Sequence, residues 1–244
     1  MLLDDRYAPI TSEIGFLMAD PGTVADAMLA WWEKRLKPPP RAVREDVTGG
    51  SLGALLGSLL PLDRVIPRRN LLLPTDGPWT AALNNHWQGP DIRSTVGVLS
   101  RDLGTLGVTA SAVVDDRRAE PPGRFGGTTF AVYTASLNPA RGIWAINDGG
   151  RWVFEQTGSP LPFEREELYR RRRRIRDRFT PELLEEYCER FGIRLFDERF
   201  YAPGHRAILI STPDAVAHQE TVTLEVAQAE LGIVREGAAT PIAR

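Results

Sequence analysis

Cysteine occurs once in the 244 residues, as Cys188, so an internal disulfide framework is excluded and a reducing compartment is the expected setting. Histidine is almost as scarce: His86, His205 and His218 stand apart. No HxxxH, HExxH or CxxC spacing occurs, which excludes the common zinc signatures. Lysine is confined to Lys34 and Lys37, leaving 28 of the 30 basic residues as arginine. Arginine codons are GC-rich and lysine codons AT-rich, so the bias points to a GC-rich bacterial genome. No apolar run approaches the roughly 20 residues that a bilayer span needs. The opening MLLDDRYAPITSE carries acids where a secretory leader would carry lysine or arginine. A soluble, cytoplasmic protein without a membrane partner is expected. Gly49-Gly50 and Gly126-Gly127 match neither a dinucleotide fingerprint nor a P-loop, and no GxSxG nucleophile elbow occurs.

What remains is ordinary globular usage, 42% hydrophobic and 25% charged. A chain of this length buries roughly 70% of its unfolded surface and needs no covalent staples. The net charge of −2 argues against a general nucleic-acid binder, and a local patch would have to work against the rest of the chain.

Along the chain, apolar runs and breakers alternate. Glu13–Asp20 reads as a buried strand, and Thr23 as the cap of a helix to about Leu36. A strand over Ala42–Val47 and a small-residue helix over Ser51–Leu60 follow. Pro61–Arg69 marks a boundary, giving a β-α-β-α segment over 1–66 packed on a main domain over 67–235, with a frayed tail at 236–244. Asp76-Gly77 between apolar runs predicts a hairpin. Asp91 is placed to cap a helix whose stripe is Ile92, Val96, Leu99 and Leu103, ending at Gly104. Strands are expected at 108–114, 128–135, 142–146 and 151–155, the last two joined by Asn147-Asp148-Gly149-Gly150. A helix over Phe163–Arg176, a second from Thr180-Pro181 to Gly192, strands at 194–201 and 206–210, and a helix over 220–231 complete the reading. Hairpins with helices between them predict an α+β fold: an antiparallel or mixed sheet covered on one face by amphipathic helices.

Three constellations carry chemistry. Glu164 to Arg178 holds eight arginines and four acids, a local +4 that leaves −6 elsewhere. Within it Arg170, Arg171, Arg173 and Arg174 are candidate contacts on a helix whose acids lie within i+3 and i+4 reach. Asn85, His86 and Trp87, with Asp91, place an amide, an imidazole, an aromatic and a carboxylate on one loop. That loop suits partner contact, or, with Asp148 or Glu155 from the neighbouring hairpin, a general acid–base site. Trp31, Trp32, Trp79, Trp87, Trp144 and Trp152 pack in the core unless exposed, and an exposed one would anchor an interface. Cys188 falls in an apolar helix stripe and reads as packing.

LLLPTDGPWTAALNN, NDGGRWVFEQTGSPLPFE and RIRDRFTPELLEEYCERFGIRLFDERFY resemble segments of uncharacterised bacterial proteins of similar length, over about Gly15 to Tyr201. In general character that group is similar to the immunity proteins of polymorphic toxin systems. The resemblance implies a cytoplasmic, non-catalytic protein that neutralises a toxin by protein–protein binding, and it brings no site residues or cofactor with it. The alternative is a hydrolase or transferase centred on His86 and Asp91.

Overall fold

A computed structural model describes residues 1–35, 41–89, 92–116, 123–213 and 220–233. Short alternating apolar runs pair into one nine-stranded antiparallel sheet, and the fold is α+β. In chain order the strands are β1 (Glu13–Leu17), β2 (Val43–Thr48), β3 (Leu62–Asp63), β4 (Arg69–Pro74), β5 (Thr80–Asn84), β6 (Leu106–Val113), β7 (Gly127–Thr134), β8 (Arg141–Asp148), β9 (Arg151–Gly158), β10 (Arg206–Ser211) and β11 (Thr221–Val222). Across the large sheet they run β2-β10-β4-β5-β1-β6-β7-β8-β9, while β3 and β11 form a separate ribbon. The helices are α1 (Pro21–Arg35), α2 (Leu52–Gly57), α3 (Arg93–Leu103), α4 (Glu166–Arg171), α5 (Pro181–Glu189) and α6 (Leu224–Glu230).

Both hairpins fall where their turn residues put them, β4–β5 around Asp76-Gly77 and β8–β9 around Asn147–Gly150. Residues 1–66 are woven into the sheet: β1 is its central strand, between β5 and β6, and β2 forms an edge beyond β10. The boundary at 61–69 therefore divides the sequence pattern and not the sheet. Residues 236–244 lie outside the described residues.

Both faces of the sheet are covered, where one was expected. Phe16, Leu71, Leu83, Val108, Phe130 and Ile143 point to the side of α2, α5 and α6. Leu17, Leu72, Ala82, Ala131, Ile208 and Ile210 point to the side of α1 and α3. Continuous apolar stretches such as Leu71-Leu72-Leu73 and Ala207–Ile210 belong to strands buried on both sides. On the second side α1 lies over β4 and β10 and α3 over β1, β6 and β7. Among the described residues the helical layer stops there, and no helix covers β8 and β9 on that face.

Local hydrogen bonding corrects four element boundaries. Asp20, not Thr23, caps α1, its carboxylate accepting from Thr23 N at 2.9 Å and Thr23 Oγ1 at 2.5 Å. The expected strand at 194–201 is a turn and a short 3-10 helix (Glu198–Phe200), because Asp197 accepts from Arg199 N at 3.0 Å and closes the chain on itself. The last helix begins at Leu224 behind a Thr223 cap, and Thr221–Val222 pair with β3 instead. The helix expected over Phe163–Arg176 ends at Arg171, since Arg172 takes an extended ψ of 121°. Continuing it would stack Arg174 on Arg170 and Arg171, like charges at i+4 and i+3.

Candidate functional site

Two surfaces gather charge, and they lie on opposite faces of the β8–β9 hairpin. The first is the arginine segment. Arg170 keeps one i+4 partner, Glu166, at 3.5 Å. Arg171, Arg172, Arg173 and Arg174 are all exposed, and their guanidinium groups meet no carboxylate among the described residues. The backbone beneath them is nonetheless held at both ends. Tyr169 and Phe179 are only 3% and 1% exposed, and Ile175 is partly buried between them. Arg178 lies 5.7 Å from the Phe154 ring centre and donates from Nε to Arg172 O.

Behind the upstream anchor is a buried polar network. Arg141 donates from Nε and Nη2 to the two carboxylate oxygens of Glu164 at 2.8 and 2.6 Å. Nη2 also donates to Gln156 Oε1, and Nη1 to Thr157 O and Gly158 O, so all five guanidinium hydrogens are placed. Glu164 accepts further from Leu161 N and Tyr169 Oη. The Tyr169 and Tyr187 hydroxyls are 2.7 Å apart, and Arg165 N donates to Tyr187 Oη. Burial raises both phenols above their ordinary pKa, so they stay protonated and serve as hydrogen-bonding groups. The network ties β8, β9, α4 and α5 together and positions the arginine segment. Sequence reading missed it, because Arg141 is an isolated arginine and Glu164 resembles the solvated acids beside it.

The second surface is the bare face of β8 and β9, a groove of about 400 Å³ lined by Arg93, Trp144, Ile146, Asp148, Val153 and Glu155. Trp144 lies flat along its strand over Gly142, where any Cβ would overlap the indole ring. Glu155 is the cross-strand neighbour of Trp144, and Val153 that of Ile146. Arg93, at the start of α3, donates to Glu13 Oε1 at 2.9 Å and to Thr129 Oγ1 at 3.1 Å. The volume suits a side-chain-sized ligand, but the lining contains no histidine, serine or cysteine.

The structure brings Asp148 and Glu155 together in this groove and leaves His86 elsewhere. His86 follows β5, four strand positions from β8, a separation of about 19 Å at 4.8 Å per strand. Its Nδ1 is 3.2 Å from Gly89 O. Asn85 is buried and holds its loop closed: Oδ1 accepts from Arg68 N and Arg69 N, and Nδ2 donates to Pro61 O and Asp63 Oδ2. Trp87 is partly buried beneath the Arg64 guanidinium, 4.6 Å away. Asp91 and His218 lie outside the described residues.

Of the six tryptophans none is exposed; Trp79 is fully buried and donates to Phe191 O at 2.9 Å. Cys188 is buried, and burial pushes its thiol well above the ordinary range. Among the described residues no His, Cys, Asp and Glu group could hold a metal ion, and no helix is long and apolar enough to cross a membrane. No family model, no curated protein and no solved structure matches the chain, so geometry and chemistry alone bear on its function.

Proposed function

We propose that the chain is a protein-binding protein of immunity type, which covers an acidic surface of a toxin with its Arg170–Arg174 segment. The observation that supports this reading is four exposed guanidinium groups without a carboxylate partner among the described residues, on a backbone pinned by Tyr169, Ile175 and Phe179. Holding like charges side by side is unfavourable in the free protein, and an acidic partner relieves it. Because the backbone is already anchored, binding would order only the arginine side chains.

Charge balance favours a compact partner over a nucleic acid. The stretch from Glu164 to Arg178 carries +4 while the remaining chain carries −6, so an extended polyanion would be attracted at one point and repelled along its length.

Affinity capture from the native host, run in parallel with wild type and an Arg171→Glu/Arg173→Glu variant, tests the proposal. The expected result is an acidic protein retained by wild type and lost by the variant, whose toxicity in co-expressing cells is relieved by wild type alone. Retention of the same partner by both proteins would overturn it. So would recovery of nucleic acid, recognised by a log–log salt slope of about −0.9 per phosphate contacted.

A further inference from the structure

The sheet ends in two dissimilar edges. At β2 three charged residues, Arg44, Glu45 and Asp46, follow one another, a composition that discourages a further strand. At the other edge β9 runs eight residues without proline and, among the described residues, pairs only with β8. Its first five residues, Arg151-Trp152-Val153-Phe154-Glu155, read cation, aromatic, aliphatic, aromatic, anion. Reversed, that series is its own charge complement. Arg151 and Glu155 are exposed, and neither has an ion-pair or hydrogen-bond partner for its side chain among the described residues.

We infer that β9 is the dimer edge of this protein: a second copy adds its own β9 antiparallel, about a twofold axis through Val153 perpendicular to the sheet. Val153 then faces its own counterpart. Trp152 lies opposite the partner's Phe154, and Arg151 opposite the partner's Glu155, so the contact is isologous and every pairing occurs twice. The axis preserves the two faces of the sheet, so residues opposite each other must share a face, and only every second register qualifies. Of the neighbouring allowed registers, one centred on Trp152 sets Glu155 opposite the partner's Gly149. One centred on Phe154 sets it opposite the partner's Val153. Either leaves the charges unmatched, so charge pairing selects the Val153 register. The two sheets would join into one of eighteen strands with the two Trp144 grooves on a common face.

The register makes a charge-swap test decisive. Arg151→Glu places glutamate opposite glutamate in its own dimer, and Glu155→Arg places arginine opposite arginine. Mixed together, the two variants restore opposite charges at both positions. Sedimentation velocity over about two decades of concentration reads the outcome as mass. Wild type is expected to double in mass with concentration. Each variant alone is expected to need at least about tenfold more protein to do so, and the equimolar mixture to recover the wild-type curve. Recovery would also show that both variants are folded. A wild type that stays monomeric throughout, variants that associate as wild type does, or a mixture that fails to recover would each overturn the inference.

Discussion

Arg141 and Glu164 meet as a bidentate ion pair, 2.8 and 2.6 Å, with side chains exposed by only 2% and 0%. A pair this buried brings little net stability over an apolar one, but breaking it strands a charge. Glu164→Gln keeps the shape and removes the charge that balances Arg141. It is expected to cost about 3–5 kcal/mol, read as a lower urea midpoint. Adding Arg141→Met to Glu164→Gln should restore part of that loss, because no uncompensated charge remains; a simple sum of the two single effects would contradict the coupling.

Gly158 is where β9 turns under Arg141 Nη1. Its φ is +74°, and a Cβ there would collide with the Ala140 carbonyl oxygen. The backbone conformation alone costs an alanine about 1–2 kcal/mol, and the collision would push β8 away from the Thr157 and Gly158 carbonyls that Arg141 binds. Gly158→Ala should therefore destabilise the protein by more than a typical glycine replacement in a turn, measured by thermal unfolding. An unchanged melting temperature would show that this corner can relax.

Much of the scaffold was legible because its signals are local. Asp76-Gly77 and Asn147–Gly150 name their turns, Thr180-Pro181 opens α5, and Ile92, Val96 and Leu99 trace the buried stripe of α3. What was not legible depends on partners distant in sequence. That Leu71-Leu72-Leu73 faces two helical layers follows from α1 and α5, which lie on either side of the sheet. Glu164 and Glu166 look equivalent in sequence, yet only Glu164 meets Arg141, 23 residues away. His86 does not meet Asp148 or Glu155 for the same reason: β5, which His86 follows, lies four strand positions from β8, an order set by pairings distant in sequence. The arginine run was legible as charge but not as conformation.

Asp20 caps α1 through Thr23, and those hydrogen bonds hold its carboxyl below the ordinary aspartate range. A lowered folded-state pKa contributes stability above the unfolded value of about 3.9, and the contribution fades as pH falls through the lower folded value. Asp20→Ala should cost about 0.5–1 kcal/mol at neutral pH, the low end for a solvent-exposed cap. The difference between variant and wild type should close as the solution is acidified through the lowered folded-state value. Parallel melts at neutral and acidic pH check this, and a gap that stays constant would assign the loss to something other than the cap.

Cys188 lies in the buried stripe of α5, and burial, reinforced by the charges of Glu185 and Glu189, raises its thiol pKa. Alkylation requires thiolate and access, so iodoacetamide should leave the native protein unmodified at mildly alkaline pH and label it promptly in guanidinium. The same shift gives a sign for stability. The unfolded thiol ionises near pH of about 8.5 while the folded one does not, so stability should decline as pH rises past that value. Mass spectrometry of native and denatured samples decides the first point, and native labelling at the free-cysteine rate would refute it.

The arginine segment should separate stability from binding. Arg171 and Arg173 are exposed, and their side chains meet no carboxylate among the described residues. Reversing both to glutamate should thus leave folding stability within about 0.5 kcal/mol of wild type. Salt provides an internal control. If the arginines repel one another in the folded protein, raising salt from about 0.01 to 0.15 M shortens the screening length from about 30 to 8 Å and should stabilise wild type more than the variant. Affinity for an acidic partner should move the other way, weakening with salt for wild type and falling at least about tenfold on charge reversal. Thermal melts and partner titrations on the same two proteins measure both. If reversal unfolded the chain instead, the segment would be part of the scaffold, and its charges would have to be satisfied within the fold.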